Sequence, residues 1–138
     1  METPRILLAG TNAQAIALAR QAFEPLDYQI VTAQPMSMAL YLALKNLPEL
    51  IVATQEMTDG DGLDFLHELL RDEELAQIPF VLCVNGAPEA HYELKVMKEG
   101  ASKVISSDLS PREFLSLVEP LIHERLIKKG KRPDTTPE

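Results

Sequence analysis

The sequence predicts an α/β fold, a doubly wound five-stranded parallel sheet in the order 2-1-3-4-5 with five helices. Three observations predict it. Short, continuous apolar runs recur five times, as expected for strands covered on both faces. Each run is followed by a segment of helix-forming composition, most of them opened by residues suited to capping a helix. Right-handed crossovers between such units then leave few strand orders.

The elements follow in chain order. Arg5-Ile6-Leu7-Leu8-Ala9 is a buried strand ending at Gly10, and Thr11-Asn12 caps a helix over Ala13 to Phe23 that Pro25 closes. Tyr28 to Thr32 is the second strand, and Met36 to Leu47 is a helix entered at Pro35 and stopped by Pro48. Leu50 to Ala53 is the third strand, followed by a loop from Gln55 to Gly60. Asp61 caps a helix from about Gly62 to Asp72. Ile78 to Val84 is the fourth strand, with Asn85-Gly86 as its turn, and Pro88 to Lys98 is a helix ended by Gly100. Lys103 to Ser106 is a short fifth strand. Ser110, Pro111 and Glu113 then have the spacing of a capping box at the start of the last helix, and Pro120 within that helix is expected to bend it.

Composition bounds the function. The chain has 138 residues, of which 46% are hydrophobic and 25% charged, the proportions of one globular domain. No apolar run approaches the roughly 18 residues of a membrane span, and no signal peptide is visible, so a cytoplasmic protein without membrane insertion is expected. Cys83 is the sole cysteine, which excludes a disulfide framework and a Cys-based zinc site, and its place in a strand marks it as a small hydrophobe. These elements make one domain over residues 1–128, and residues 129–138 form a basic tail expected to be disordered. Net charge is −8. Without residues 128–138 the body carries nine basic and nineteen acidic residues, a net of −10, which disfavours nucleic acid. Trp is absent, so base-stacking platforms are not expected either.

Ile6-Leu7-Leu8-Ala9, then Pro48-Glu49-Leu50-Ile51-Val52-Ala53 with Met57, Asp61, Gly62 and Leu63, then Ile78-Pro79-Phe80-Val81-Leu82 and Gly100-Ala101, form an ordered set. Over about residues 5 to 125 this set resembles the receiver domain of bacterial two-component response regulators, which have the flavodoxin-like architecture. The resemblance implies two acids after the first strand for Mg²⁺, a phosphoacceptor Asp, a switch Ser or Thr and a Lys followed by Pro. Those positions here hold Gly10 and Thr11, Thr54, Val84, Ser107 and Asp108, and the switch aromatic falls on Val104. Mg²⁺ favours carboxylate oxygens, which Gly10, Thr11 and Thr54 do not supply. Val84 cannot hydrogen-bond a phosphoryl group and Ser107 cannot neutralise one. Without Pro, the peptide after Ser107 should be trans. The resemblance is therefore to a degenerate pseudo-receiver that needs no cofactor and catalyses nothing.

Other motifs stand beside it. The run Asp59-Gly60-Asp61-Gly62-Leu63-Asp64 fails the EF-hand pattern, because its fifth, sixth and twelfth positions are Leu63, Asp64 and Leu70. Asp61 and Asp64 suit a helix N-terminus instead. His67, His91 and His123 fall on three different helices and receive no chemistry. The second helix shows Met36, Leu40, Ala43 and Leu47 on one face and Met38, Tyr41, Leu42 and Lys45 on the other, where a polar back is expected. That second face is the expected partner-binding surface. The surplus length of the last helix, around Leu126 and Ile127, is a second candidate.

The expectation is a phosphorylation-independent adaptor of bacterial signal transduction. Its partners would be signalling or scaffold proteins, with a homodimer left open. Two alternatives stay open: a small-ligand or nucleotide-binding domain using the Gly10-Thr11-Asn12 turn at a helix N-terminus, and control by a Ser/Thr kinase acting on Thr54 or Ser107.

Overall fold

Five parallel strands form the sheet of the computed structural model, which describes residues 3–130. They are β1 (Arg5–Ala9), β2 (Gln29–Ala33), β3 (Leu50–Thr54), β4 (Phe80–Val84) and β5 (Lys103–Ser106), in the order β2-β1-β3-β4-β5. Every neighbouring pair is parallel. The helices are α1 (Ala13–Phe23), α2 (Met36–Asn46), α3 (Gly62–Leu70) and α4 (Ala90–Lys98) in the crossovers, and α5 (Pro111–Gly130) after the last strand.

The central strands β3 and β4 are buried at every residue, which is why they read as unbroken apolar runs. Alternation along the strands divides the core in two. Leu7, Ile51 and Leu82 pack with Phe65, Phe80 and Val96 beneath α2, α3 and α4. Ile6, Leu8, Val52, Val81 and Cys83 pack with Phe23, Phe114, Val118 and Ile122 beneath α1 and α5. Phe23 and Phe114 meet edge to face at 5.8 Å, joining those two helices.

Local capping chemistry explains most helix starts. Asn12 accepts the Ala15 N–H at 3.0 Å. Asp61 and Asp64 form a reciprocal capping box, and so do Ser110 and Glu113. Glu89 accepts the Tyr92 N–H. Pro35, at the start of α2, has no side chain able to do this. Asp59 supplies the cap instead, accepting the N–H groups of Met36 and Ser37 from across the next crossover.

Several boundaries differ from the sequence reading. The segment 55–60 is not wholly a loop, because Glu56–Met57 and Gly60–Asp61 form a short antiparallel ladder. β4 starts at Phe80 rather than Ile78, since Leu75–Gln77 turns as a 3-10 helix and Ile78 is its cap. α3 ends at Leu70, leaving Asp72 to accept the N–H groups of Glu74 and Leu75. α4 begins at Ala90 rather than Pro88, where Glu89 caps it. α5 runs unbroken past Pro120. It includes Lys129 and Gly130, which the sequence reading placed in the tail; the rest of that tail, 131–138, lies outside the described residues. No described helix is long and apolar enough to cross a membrane.

Lys129 is held because its ammonium pairs with Glu49, a carboxylate 2% exposed that also accepts the Arg5 N–H at 2.7 Å. This cluster ties the end of α5 to the beginnings of β1 and β3.

Candidate functional site

In a parallel sheet of this kind the natural site is the crevice at the carboxyl ends of the strands. Those ends bring together Gly10, Thr11, Thr54, Val84 and Ser107, the five positions expected to form a degenerate pocket. Gly10 is the pivot. Its φ of +135° is open to glycine and strained for any other residue. A Cβ built on it would lie 1.8 Å from Thr54 Oγ1 and 2.8 Å from Thr54 Cβ. The Thr54 side chain therefore occupies the space into which a side chain at position 10 would project. Gly62 is pressed close in the same way, since a Cβ there would come within 2.4 Å of the Thr54 carbonyl oxygen.

The polar groups of the crevice bond to one another. The Glu56 carbonyl accepts the Thr54 hydroxyl at 2.7 Å, the Thr11 N–H at 3.0 Å and the Thr11 hydroxyl at 3.2 Å. Asn12 Nδ2 donates to Asn85 Oδ1 at 2.8 Å, and the Ser107 hydroxyl donates to the same oxygen at 3.3 Å. Gln14 donates to the Ser107 carbonyl and to Asp108. The crevice is thus closed by a mainly neutral network of amides and hydroxyls, with no lysine or arginine among the residues that form it. Beside it, a depression of about 190 Å³ is bordered by Val84, Asn85, Tyr92 and Glu89, whose carboxylate is the cap of α4.

These residues do not fit Mg²⁺. The positions that should carry its carboxylates are Gly10, Thr11 and Thr54, the cradle between them is filled by a threonine side chain, and the nearby Glu56 carbonyl already takes three donors. The peptide after Ser107 is trans, as its following Asp108 required.

The two alternative chemistries find little room. Thr11 N–H and Ala15 N–H, at the turn expected to cradle a phosphate, already donate within the protein. Thr54 is 0% exposed and Ser107 is 3% exposed, so neither hydroxyl is presented to a kinase in the folded state. Cys83 is buried, and burial pushes its thiol up to about 12, far from a reactive thiolate. Of the histidines, His67 on α3 contacts Glu99 at the end of α4, while His91 and His123 are exposed.

The expected partner face on α2 is corrected at one position. Met38, Tyr41 and Leu44 are 48%, 57% and 53% exposed, and Lys45 is exposed with its ammonium 5.8 Å from the centre of the Tyr41 ring. Leu42 is not on this face, because it is half-buried against the core beneath α2. Helical geometry gives the reason. Residues three apart share a face, so Met38, Tyr41 and Leu44 align, whereas Leu42 is turned about 100° from Tyr41 toward the sheet. The sequence reading missed Leu44, Asp59 and Glu49. The i, i+3, i+6 spacing would have found Leu44; the other two act across long loops and leave no local signal.

Comparison with known proteins gives a consistent relationship. The family model described as the response regulator receiver domain matches residues 6–119. The polar-differentiation response regulator DivK of Brucella ovis is 26% identical over 117 residues, covering 85% of this chain and 94% of that protein. Histidine kinase P4 of Formosa agariphila is 29% identical over 105 residues, covering 76% of this chain, and the chain spans only 8% of that kinase's length. Among solved structures, the signal receiver domain of an HD domain-containing protein from Pseudomonas fluorescens Pf-5 superposes with a TM-score of 0.81 at 19% identity, covering 96% of both chains.

Proposed function

This chain belongs to the response regulator receiver domain family, and from that premise we propose that it is a pseudo-receiver that signals without an aspartyl phosphate. In this reading it is a cytoplasmic, non-enzymatic adaptor of two-component signalling that binds signalling or scaffold proteins through a fixed surface. One observation carries the reading. The space facing position 10 is filled by the Thr54 side chain, and the surrounding polar groups are joined to each other rather than held open for a metal or a phosphoryl group.

The exposed stripe of Met38, Tyr41 and Leu44 with Lys45 is the surface assigned to partners. It needs no switching, because α2 is anchored by Asp59 and by Ala39 and Ala43 against the core. The test is exposure of the full chain to Mg²⁺ with beryllofluoride or acetyl phosphate, followed by amide NMR and intact mass. Unchanged amide shifts at Thr11, Thr54 and Ser107 and an unchanged mass are expected. Saturable shifts at these residues, or a phosphoryl adduct on a carboxylate, would overturn the proposal.

A further inference from the structure

Of the chain's 13 basic and 21 acidic residues, a single one, Lys45, falls between residues 28 and 48. This segment is β2 with α2, and it lies at the border of the sheet rather than at its centre. A border helix ordinarily shows water a polar back. Here the exposed residues of α2 include Met38, Tyr41 and Leu44.

The strand beside it has an open edge. β2 bonds to β1 through the groups of Gln29 and Ala33: the Gln29 N–H donates to the Pro4 carbonyl, and the Gly10 N–H donates to the Ala33 carbonyl. Peptide groups alternate in direction along a strand, so the N–H and C=O groups of Ile30 and Thr32 point away from β1. β2 is Gln-Ile-Val-Thr-Ala, with no Lys, Pro or inward charge of the sort that guards an edge against pairing. The opposite border, β5, opens with Lys103.

We propose that a second copy of this chain pairs with β2 antiparallel, about a two-fold axis passing at Val31. That register sets Ile30 opposite Thr32 of the second copy, and Thr32 opposite its Ile30. The four outward-facing groups of one copy thereby meet the same four of the other in two hydrogen-bonded pairs. The axis stands normal to the sheet, so both α2 helices lie on the same face, one on each side of it. A strand edge alone is small for a stable interface. The Met38–Tyr41–Leu44 stripe supplies the apolar remainder. Charge favours this place over others: two chains of net charge −8 repel, and the segment at the contact carries no acid. The proposal rests on the adaptor reading only in treating the α2 stripe as a protein-binding face, and names its occupant.

The test is sedimentation of the full chain over a wide concentration range, with amide hydrogen exchange on the same samples. A mass rising to twice the 15.3 kDa of one chain is expected, with the Ile30 and Thr32 amides gaining protection as it does. Thr32→Pro removes one outward N–H, and Thr32→Glu places a charge on an exposed edge residue without touching the β1–β2 bonds. Both are expected to sediment as single chains with unchanged circular dichroism. A wild type that stays single at every concentration, or a dimer that survives Thr32→Glu, overturns the pairing. So does a chain that is single by itself but loses a different protein partner on Thr32→Glu, which assigns the edge to that partner. The two proposals fail separately: a single chain indifferent to beryllofluoride removes only the dimer, and a dimer that takes up beryllofluoride removes only the adaptor reading.

Discussion

Replacing Gly10 by Ala adds one methyl group to the most crowded point of the crevice. The backbone there has φ +135°, and holding a residue other than glycine in such a region costs about 1–3 kcal/mol. The new Cβ would meet Thr54 Oγ1 at 1.8 Å and Thr54 Cβ at 2.8 Å, and forcing extra carbon into a packed core costs about 1–3 kcal/mol more. The total, about 2–6 kcal/mol, is large beside the roughly 5–15 kcal/mol that holds a domain folded. Urea unfolding followed by circular dichroism measures it. The second half of the argument needs a double-mutant cycle. Thr54→Ala removes Oγ1 and Cγ2 and keeps only Cβ in the way, so Gly10→Ala should cost about 1–2 kcal/mol less in that background. The reasoning is refuted by a Gly10→Ala cost under about 0.5 kcal/mol, the level of an innocuous surface change, or by equal costs in the two backgrounds. The same geometry implies that Asp introduced at position 10 does not recreate a metal cage while Thr54 remains.

Two further outcomes follow from groups that act at long range. The N–H of Met36, with that of Ser37, holds the Asp59 carboxyl below the usual carboxylate range. Because its folded pKa lies below the unfolded one, the stabilisation is complete above the unfolded value of 3.8 and is lost as pH falls through the folded pKa. The melting temperature of the wild type should therefore fall more steeply below about pH 4 than that of Asp59→Asn, and parallel curves would count against the cap. Glu49→Ala should cost about 1–3 kcal/mol by stranding the Arg5 N–H and freeing Lys129, whereas Glu49→Gln keeps an acceptor for that N–H and should cost less. Equal losses in denaturant titrations would show that the hydrogen bond to Arg5 is not what the carboxylate contributes.

The strand and helix order was legible because it is written in short-range pattern. The apolar runs of β3 and β4, the capping pairs Asp61–Asp64 and Ser110–Glu113, and the Asn12 cap all act within four residues, where composition and spacing are enough. That Gly10, Thr11 and Thr54 stand where the resemblance implies acids, and Ser107 where it implies a lysine, was equally visible, since the groups a side chain carries are set by its residue type.

The tertiary structure decided what fills the space those losses left. That Thr54 leans into the gap at Gly10, that three donors converge on the Glu56 carbonyl, and that Asp59 caps α2 are outcomes of packing between separate crossovers. The capture of Lys129 by a buried Glu49 eighty residues away belongs to the same class. Local propensity governs which segments become strands or helices, but a contact between distant segments exists only once the sheet has brought their ends together. The amino-acid sequence by itself therefore determined the scaffold and which residues stand at the strand ends, and only the folded chain determined how those residues bond to one another.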